Sequence, residues 1–393
     1  MSQSSFVTEK RPVVFSILGL VGVVGLIATL VNLFFHSDHT LYSLLHGGVF
    51  WVSIGIGSLG FTLIHHVVGA RWSVVFRRLM ENISVAMIPG AILLLVVLLA
   101  GIEHIYVWAN HEHMIHDELL MKKSAYLNFP FFAIRGVFYI FCWAMISMVL
   151  RKKSLQGDQA HQVANVESMQ AFSAPMVLLY AVTITFAAFD WIMSLDPHWY
   201  STIFGVYFFS GSLVGFFAIA ILISLLLRSQ GILKDVISVE HYHDLGKLLF
   251  AFTCFWAFIA FSQYMLIWYG NIPEETIWYK HRWEGSWKYM SLFLAGGHFV
   301  LPFIALISRS AKRCLPVLAL MATWMLVMHW VDLYWLVFPN LDHHGVHFSW
   351  TDITASLGFG GIFVAGFWML SKGHALVPAK DPHLHTSIHH VNH

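Results

Sequence analysis

The sequence predicts an all-α polytopic membrane protein with ten transmembrane helices, and three observations carry that prediction. Of 393 residues, 58% are hydrophobic and only 11% are Asp, Glu, Lys or Arg, whereas a soluble domain carries about 25% charged residues. Ten apolar runs have the length of about 20 residues that a membrane helix needs. The runs are continuous rather than alternating, which excludes an outer-membrane barrel. The same composition excludes a soluble enzyme and a disordered scaffold. A formal net charge of +1 leaves no basic surplus to grip nucleic-acid phosphates.

The first span, 12–35, follows Lys10-Arg11 in the manner of a signal peptide. It runs past the usual apolar length of about 7–15 residues and ends in Phe34-Phe35-His36 without a small-residue cleavage site, so it reads as a retained anchor. The second span, 42–66, carries Gly47, Gly48, Gly55, Gly57 and Gly60. Together with Gly19, Gly22 and Gly25 of the first, these predict close helix packing. The third, 83–107, contains Pro89 and ends near Glu103 and His104, and the fourth, 127–150, contains Arg135. The fifth, 171–194, contains Pro175, Thr183, Thr185 and Asp190. The sixth is 201–228, and the seventh, 247–270, contains Thr253. The eighth, 287–309, contains His298, the ninth, 314–338, contains His329 and Asp332, and the tenth, 349–371, opens with Asp352. Connections are short, so 1–393 reads as a single membrane domain. The connections 108–126 and 271–286 suit either a docking partner or interfacial anchoring by Trp and Tyr. The His-rich tail 372–393 reads as a solvated cytoplasmic end.

Lys and Arg set the orientation. One side of the alternating connections holds Lys10, Arg11, Arg71, Arg77, Arg78, Arg151, Lys152, Lys153, Arg228, Lys234, Lys247, Arg309, Lys312, Arg313, Lys372 and Lys380. The other holds only Lys122, Lys123, Lys280, Arg282 and Lys288. Both termini are therefore expected on the cytoplasmic side.

Charged groups near the centre of a span cost about 2.5–3.5 kcal/mol on insertion scales and need a partner, a cavity or a job. At about 1.5 Å rise per residue, Asp352 lies roughly 5 Å below the outer end of its span, Glu103 and Asp190 roughly 6 Å, Asp332 roughly 9 Å, Arg135 roughly 12 Å, His329 roughly 14 Å and His298 roughly 16 Å. The inner half offers mainly threonines, with His65-His66 at its rim. This predicts a one-sided polar well, entered from outside, made of Glu103, His104, Arg135, Asp190, His298, His329, Asp332 and Asp352. It would serve as a proton path or a quinone pocket. Asp352, taken alone, reads as structural. Arg135 is expected to pair with an Asp. His329 and Asp332, three apart, share a helix face and suit proton handling or acceptance of a quinol hydroxyl. Asp190 and Asp332 each precede a Pro by seven residues, Pro197 and Pro339. If the second to fifth and sixth to ninth spans are parallel repeats, both acids point into a bundle interior.

Cys142, Cys254 and Cys314 are far apart and match neither an Fe–S nor a c-type haem spacing. They read as small core hydrophobes. The His-rich stretches 111–116 and 342–347 are not zinc-protease motifs. His298 and His329 are the one pair at a depth suited to haem b, but His329 has Asp332 beside it. No metal site and no certain catalytic residue is expected.

The stretch Ala188-Phe189-Asp190-Trp191-Ile192-Met193-Ser194-Leu195-Asp196-Pro197-His198-Trp199-Tyr200 through Tyr207 resembles the NrfD-like integral membrane subunits of alternative complex III. So does His65-His66-Val67-Val68-Gly69-Ala70-Arg71-Trp72 with Arg77-Arg78-Leu79-Met80-Glu81. The resemblance covers nearly the whole chain and is nearest the F-type subunit. It implies two four-helix bundles, 42–194 and 201–338, flanked by the first and tenth spans. It implies a place in a quinol:cytochrome c, or other electron-acceptor, oxidoreductase of a bacterial cytoplasmic membrane. Quinone or menaquinone would be the substrate. Fe–S clusters and c-type haems would sit in partner subunits: an Fe–S protein, a multihaem cytochrome c and a second NrfD-like subunit. A stand-alone secondary transporter and a b-type cytochrome membrane subunit are the alternatives.

Overall fold

The computed structural model describes residues 13–35, 37–158, 162–343 and 345–392. Lys10, Arg11, His36, His344 and His393 lie outside the described residues, as do the side chains of His111 and His113. Among the described residues there is no strand. Ten helices among the described residues are long and apolar enough to cross a membrane: Val13–Asn32, Asp38–Val67, Trp72–Ala100, Phe129–Gln156, Asn165–Leu195, Phe204–Ser229, Val239–Gly270, Trp287–Leu306, Leu315–Asn340 and Trp350–Ser371. The chain is a polytopic all-α membrane protein.

The second to fifth spans pack on one another, as do the sixth to ninth, and the second and sixth spans form the seam between the two groups. The first and tenth spans pair with each other, and the tenth rests on the second and third. Glycine sets these approaches. A Cβ on Gly22 would lie 2.3 Å from the Gly361 Cα, and one on Gly57 would lie 2.2 Å from the Ser212 carbonyl oxygen. No side chain fits there, so backbones meet directly, as the glycine spacing predicts.

The third span departs from expectation. Its helix begins at Trp72, not near 83, and stops at Ala100, not 107. The segment Arg77–Ala86 is strongly amphipathic, so a hydropathy window passes over it. It is helical because its charged side chains are buried inside the protein rather than in lipid. Glu103 and His104 accordingly fall beyond the span, after Gly101, and both are exposed. His104 reaches Asp38 at 3.0 Å.

The tail is not a solvated end. Leu376, Val377, Leu384 and Ser387 are buried, and the segment lies as a strap over the basic end of the molecule. Asp381 accepts from Arg77, the Ser387 carbonyl meets His241 Nε2 at 2.9 Å, and His390 Nε2 meets Asp244 at 2.6 Å. Sequence reading treated polarity as solvation, whereas Asp381, Ser387 and His390 of the tail have buried partners. Likewise Cys142 is buried, but Cys314 is exposed at the cap preceding the ninth span.

Candidate functional site

Asp190 and Asp332 are both buried within their helix groups, each 1% exposed, and their surroundings differ. In the first group, Arg135 donates to both Asp190 oxygens, Nε to Oδ2 at 2.7 Å and Nη2 to Oδ1 at 2.9 Å. Tyr126 and Tyr139 each donate a hydroxyl to the same carboxylate, at 2.9 and 2.7 Å. The guanidinium is held on the Tyr126 and Phe131 rings, 3.8 and 4.2 Å from their centroids, and donates to the Tyr126 carbonyl. The expected pairing of Arg135 with an Asp is present. A bidentate, four-donor carboxylate of this kind is a satisfied structural pair.

Asp332 has no such cation. Its Oδ1 accepts from the Tyr207 hydroxyl, and its Oδ2 accepts from Trp256 Nε1 at 3.1 Å. The arginine nearest in role, Arg282, serves elsewhere. It stacks 3.4 Å from the Trp278 centroid and donates to the carbonyls of Trp335 and Leu336 near the end of the ninth span, where a cation complements the helix dipole. Burial lowers the Arg282 pKa to about 9, with Asp196 opposing, so it stays cationic at neutral pH. An isolated buried carboxylate costs several kcal/mol to keep ionised, and two neutral donors offset only part of that.

His329 and Asp332 share a helix face but do not hydrogen-bond to each other. His329 Nε2 meets Ser53 Oγ at 2.8 Å, and its Nδ1 has no protein partner. The imidazole occupies room left by glycine: a Cβ on Gly215 would lie 2.7 Å from His329 Cδ2. Gly211 is flanked by both polar groups, since a Cβ there would sit 3.4 Å from His329 Nδ1 and 3.6 Å from Asp332 Oδ2. His298 lies across Trp256, ring centroids 3.7 Å apart, with both ring nitrogens unpartnered. It sits in a π-helical turn, Ala295–Val300, a rare form frequent at functional sites. Ser53 of the second span and His329, Asp332, Trp256 and His298 of the second helix group thus line up as a buried polar chain, broken between His329 and Asp332, with three imidazole nitrogens unused. Among the described residues, no three His, Cys, Asp or Glu are grouped to hold a metal ion.

Asp352 stands apart from this chain. It caps its own helix by accepting from the Ser349 N–H at 2.8 Å, and it accepts from Ser43 Oγ at 2.6 Å and meets His39 at 3.0 Å, the structural role expected of it. Glu103 and His104 line a different cavity of about 540 Å³ with Trp108 and Asn128, where the third span ends and the fourth begins. The eight candidates therefore fall into four separate places rather than one well.

The well is not one-sided either. At the basic end Glu81 is fully buried, 3.5 Å from Arg77 Nε and 3.7 Å from Arg78 Nε. Sequence reading missed it because the third span was begun too late. The i, i+3 and i, i+4 spacing of Arg78, Arg77 and Glu81 was the available signal. Tyr207, Trp256 and Ser53 were missed because tyrosine, tryptophan and serine are unremarkable in an apolar run.

No protein-family model matches the chain, and no curated protein matches it.

Proposed function

We propose that the chain is an integral membrane subunit of a quinol-oxidising electron-transfer complex, and that its second helix group exchanges protons with the outer side through Asp332. The single observation that carries this reading is the contrast between two of the buried acids: Asp190 is neutralised by Arg135, while Asp332 has only neutral donors and lies beside imidazoles with free nitrogens. Such a carboxyl is suited to taking up and releasing a proton. The resemblance in 65–81 and 188–207 supplies the class of complex. In this reading the basic end faces the cytoplasm of a bacterial cell, both termini included. The redox centres belong to an Fe–S protein, a multihaem cytochrome c and a second NrfD-like subunit. The quinol headgroup is substrate. The cavity of about 540 Å³ bearing Glu103, His104 and Asn128 offers acceptors and donors on an apolar wall, as a quinol hydroxyl requires.

The transporter reading calls for helix breaks at corresponding places in two halves. The interruptions here are at Met87, in the second helix of one group, and at Ala295–Val300, in the third helix of the other, which do not correspond. The test is purification in mild detergent. Co-purification with Fe–S and multihaem polypeptides and quinol-oxidising activity is expected. A chain that purifies alone and transports an ion in vesicles would overturn the proposal.

A further inference from the structure

A second cavity, of about 550 Å³, opens at the basic end between the third, fourth and tenth spans, far from the Asp332 chain in sequence and in place. Its walls are Val85, Met148, Leu155 and Leu370, and Arg151 and Lys152 stand at it. Met148 is an exposed apolar side chain. The two cations differ in how they are held. Arg151 is fixed in place, Nε donating to Asn82 Oδ1 at 2.9 Å and Nη2 to the Leu370 carbonyl at 2.6 Å. Those bonds leave its Nη1 available. Lys152 is exposed and makes no hydrogen bond or ion pair among the described residues.

The neighbouring arginines are already matched. Arg77 pairs with Asp381, Arg78 with Asp158, and Glu81 lies between the two arginines. Lys153 donates to Ser168. The cavity therefore presents positive charge without an acid in direct contact. It does so near the end of the fourth span, about 33 Å along the helix from its start at about 1.5 Å per residue, the level of a bilayer headgroup region. A pre-set guanidinium lowers the ordering cost of binding.

We propose that this cleft binds an anionic phospholipid, its phosphate against Arg151 and Lys152 and an acyl chain along Met148 and Val85. A membrane phosphate diester supplies both halves of the match, charge and hydrocarbon. Inorganic phosphate supplies only one. Basic pockets between membrane helices are used in this way.

The test is native mass spectrometry of the full chain, stripped of lipid in detergent and titrated with phosphatidylglycerol or phosphatidylcholine. Phosphatidylglycerol should be retained in preference. Lys152→Gln should weaken that retention about fivefold, the effect of one basic residue at a membrane surface. Lys152 has no internal partner, so this variant folds. Lys288→Gln, an exposed lysine at the opposite end, should change nothing, and Met148→Trp should fill the cleft and reduce retention of the lipid. Millimolar inorganic phosphate should not displace it. Equal retention of both lipids, an equal effect of Lys288→Gln, or displacement by phosphate would each overturn the proposal.

Discussion

A carboxylate inside a membrane protein is defined by what donates to it, and the buried Asp190 and Asp332 show opposite solutions. Asp190 has a bidentate arginine and two tyrosines, so removing Arg135 strands a buried charge. Arg135→Ala should cost about 3–5 kcal/mol, read as a lowered unfolding midpoint in detergent, and the double variant Arg135→Ala/Asp190→Asn should recover part of the loss. Asp190→Asn on its own should also destabilise, since it strands the guanidinium. Gly215→Ala should press on the His329 ring, whereas Gly211→Ala adds only ordinary contact. The first should shift the His329 ring resonances and the second should leave them in place. If both variants are silent, the packing around His329 is looser than described. Outside the spans, Asp117 is held below the usual aspartate range by the His198 hydrogen bond first, with the Leu119 and Leu120 N–H groups adding to it. A depressed carboxyl stabilises above its ordinary pKa of about 3.9, and that contribution is lost as pH falls through the lower folded value. Protection against hydrogen exchange in 114–123, taken relative to the intrinsic rate at each pH, should therefore fall below about pH 4, and at neutral pH in Asp117→Asn. An unchanged exchange rate in that variant would show that the contact does not order the segment. At this scale the sequence revealed which acids were out of place, because charge in an apolar run is conspicuous. It did not reveal Tyr207, Trp256 or Ser53, whose polar tips are invisible to hydropathy.

The helices were legible nearly everywhere, since length and apolarity are local properties. Two elements were not. Arg77–Ala86 is amphipathic and buried by its neighbours, and the strap 372–392 is polar yet docked. In both, tertiary partners override the local pattern, and those partners are hundreds of residues away: Arg77 meets Asp381, and His390 meets Asp244. Asp381→Asn should loosen the strap and leave the ten spans intact. Limited proteolysis should then cut after 372 faster than in the wild type, and equal cutting would mean that Arg77 does not hold it. The glycine contact between the first and tenth spans makes a sharper case. Gly22→Val puts a branched side chain where 2.3 Å separates a Cβ from the opposing backbone. The variant should lose about 1–3 kcal/mol through overpacking, and should weaken cysteine cross-linking between the two spans. Unaltered cross-linking would place these helices apart.

For the whole molecule, the proposed topology places both termini on one face, on the strength of ten spans among the described residues and the one-sided distribution of Lys and Arg. Single cysteines at Gln230 and Glu118, both exposed, should label from opposite sides of sealed vesicles, and labelling from one side would break the topology. Within this frame a buried polar chain with unused nitrogens lies in the second helix group, and the account rests on Asp332 exchanging a proton there. The most direct measurement is proton-coupled quinol turnover of the assembled complex carrying Asp332→Asn, with Asp332→Glu alongside. Asparagine keeps one acceptor, for Trp256 Nε1, and turns its NH2 toward the Tyr207 hydroxyl, which can accept, but it cannot take up a proton. The account predicts normal assembly, turnover or proton coupling lowered by about 10²-fold, and partial recovery with glutamate. Normal assembly with full turnover and full coupling in Asp332→Asn would contradict it.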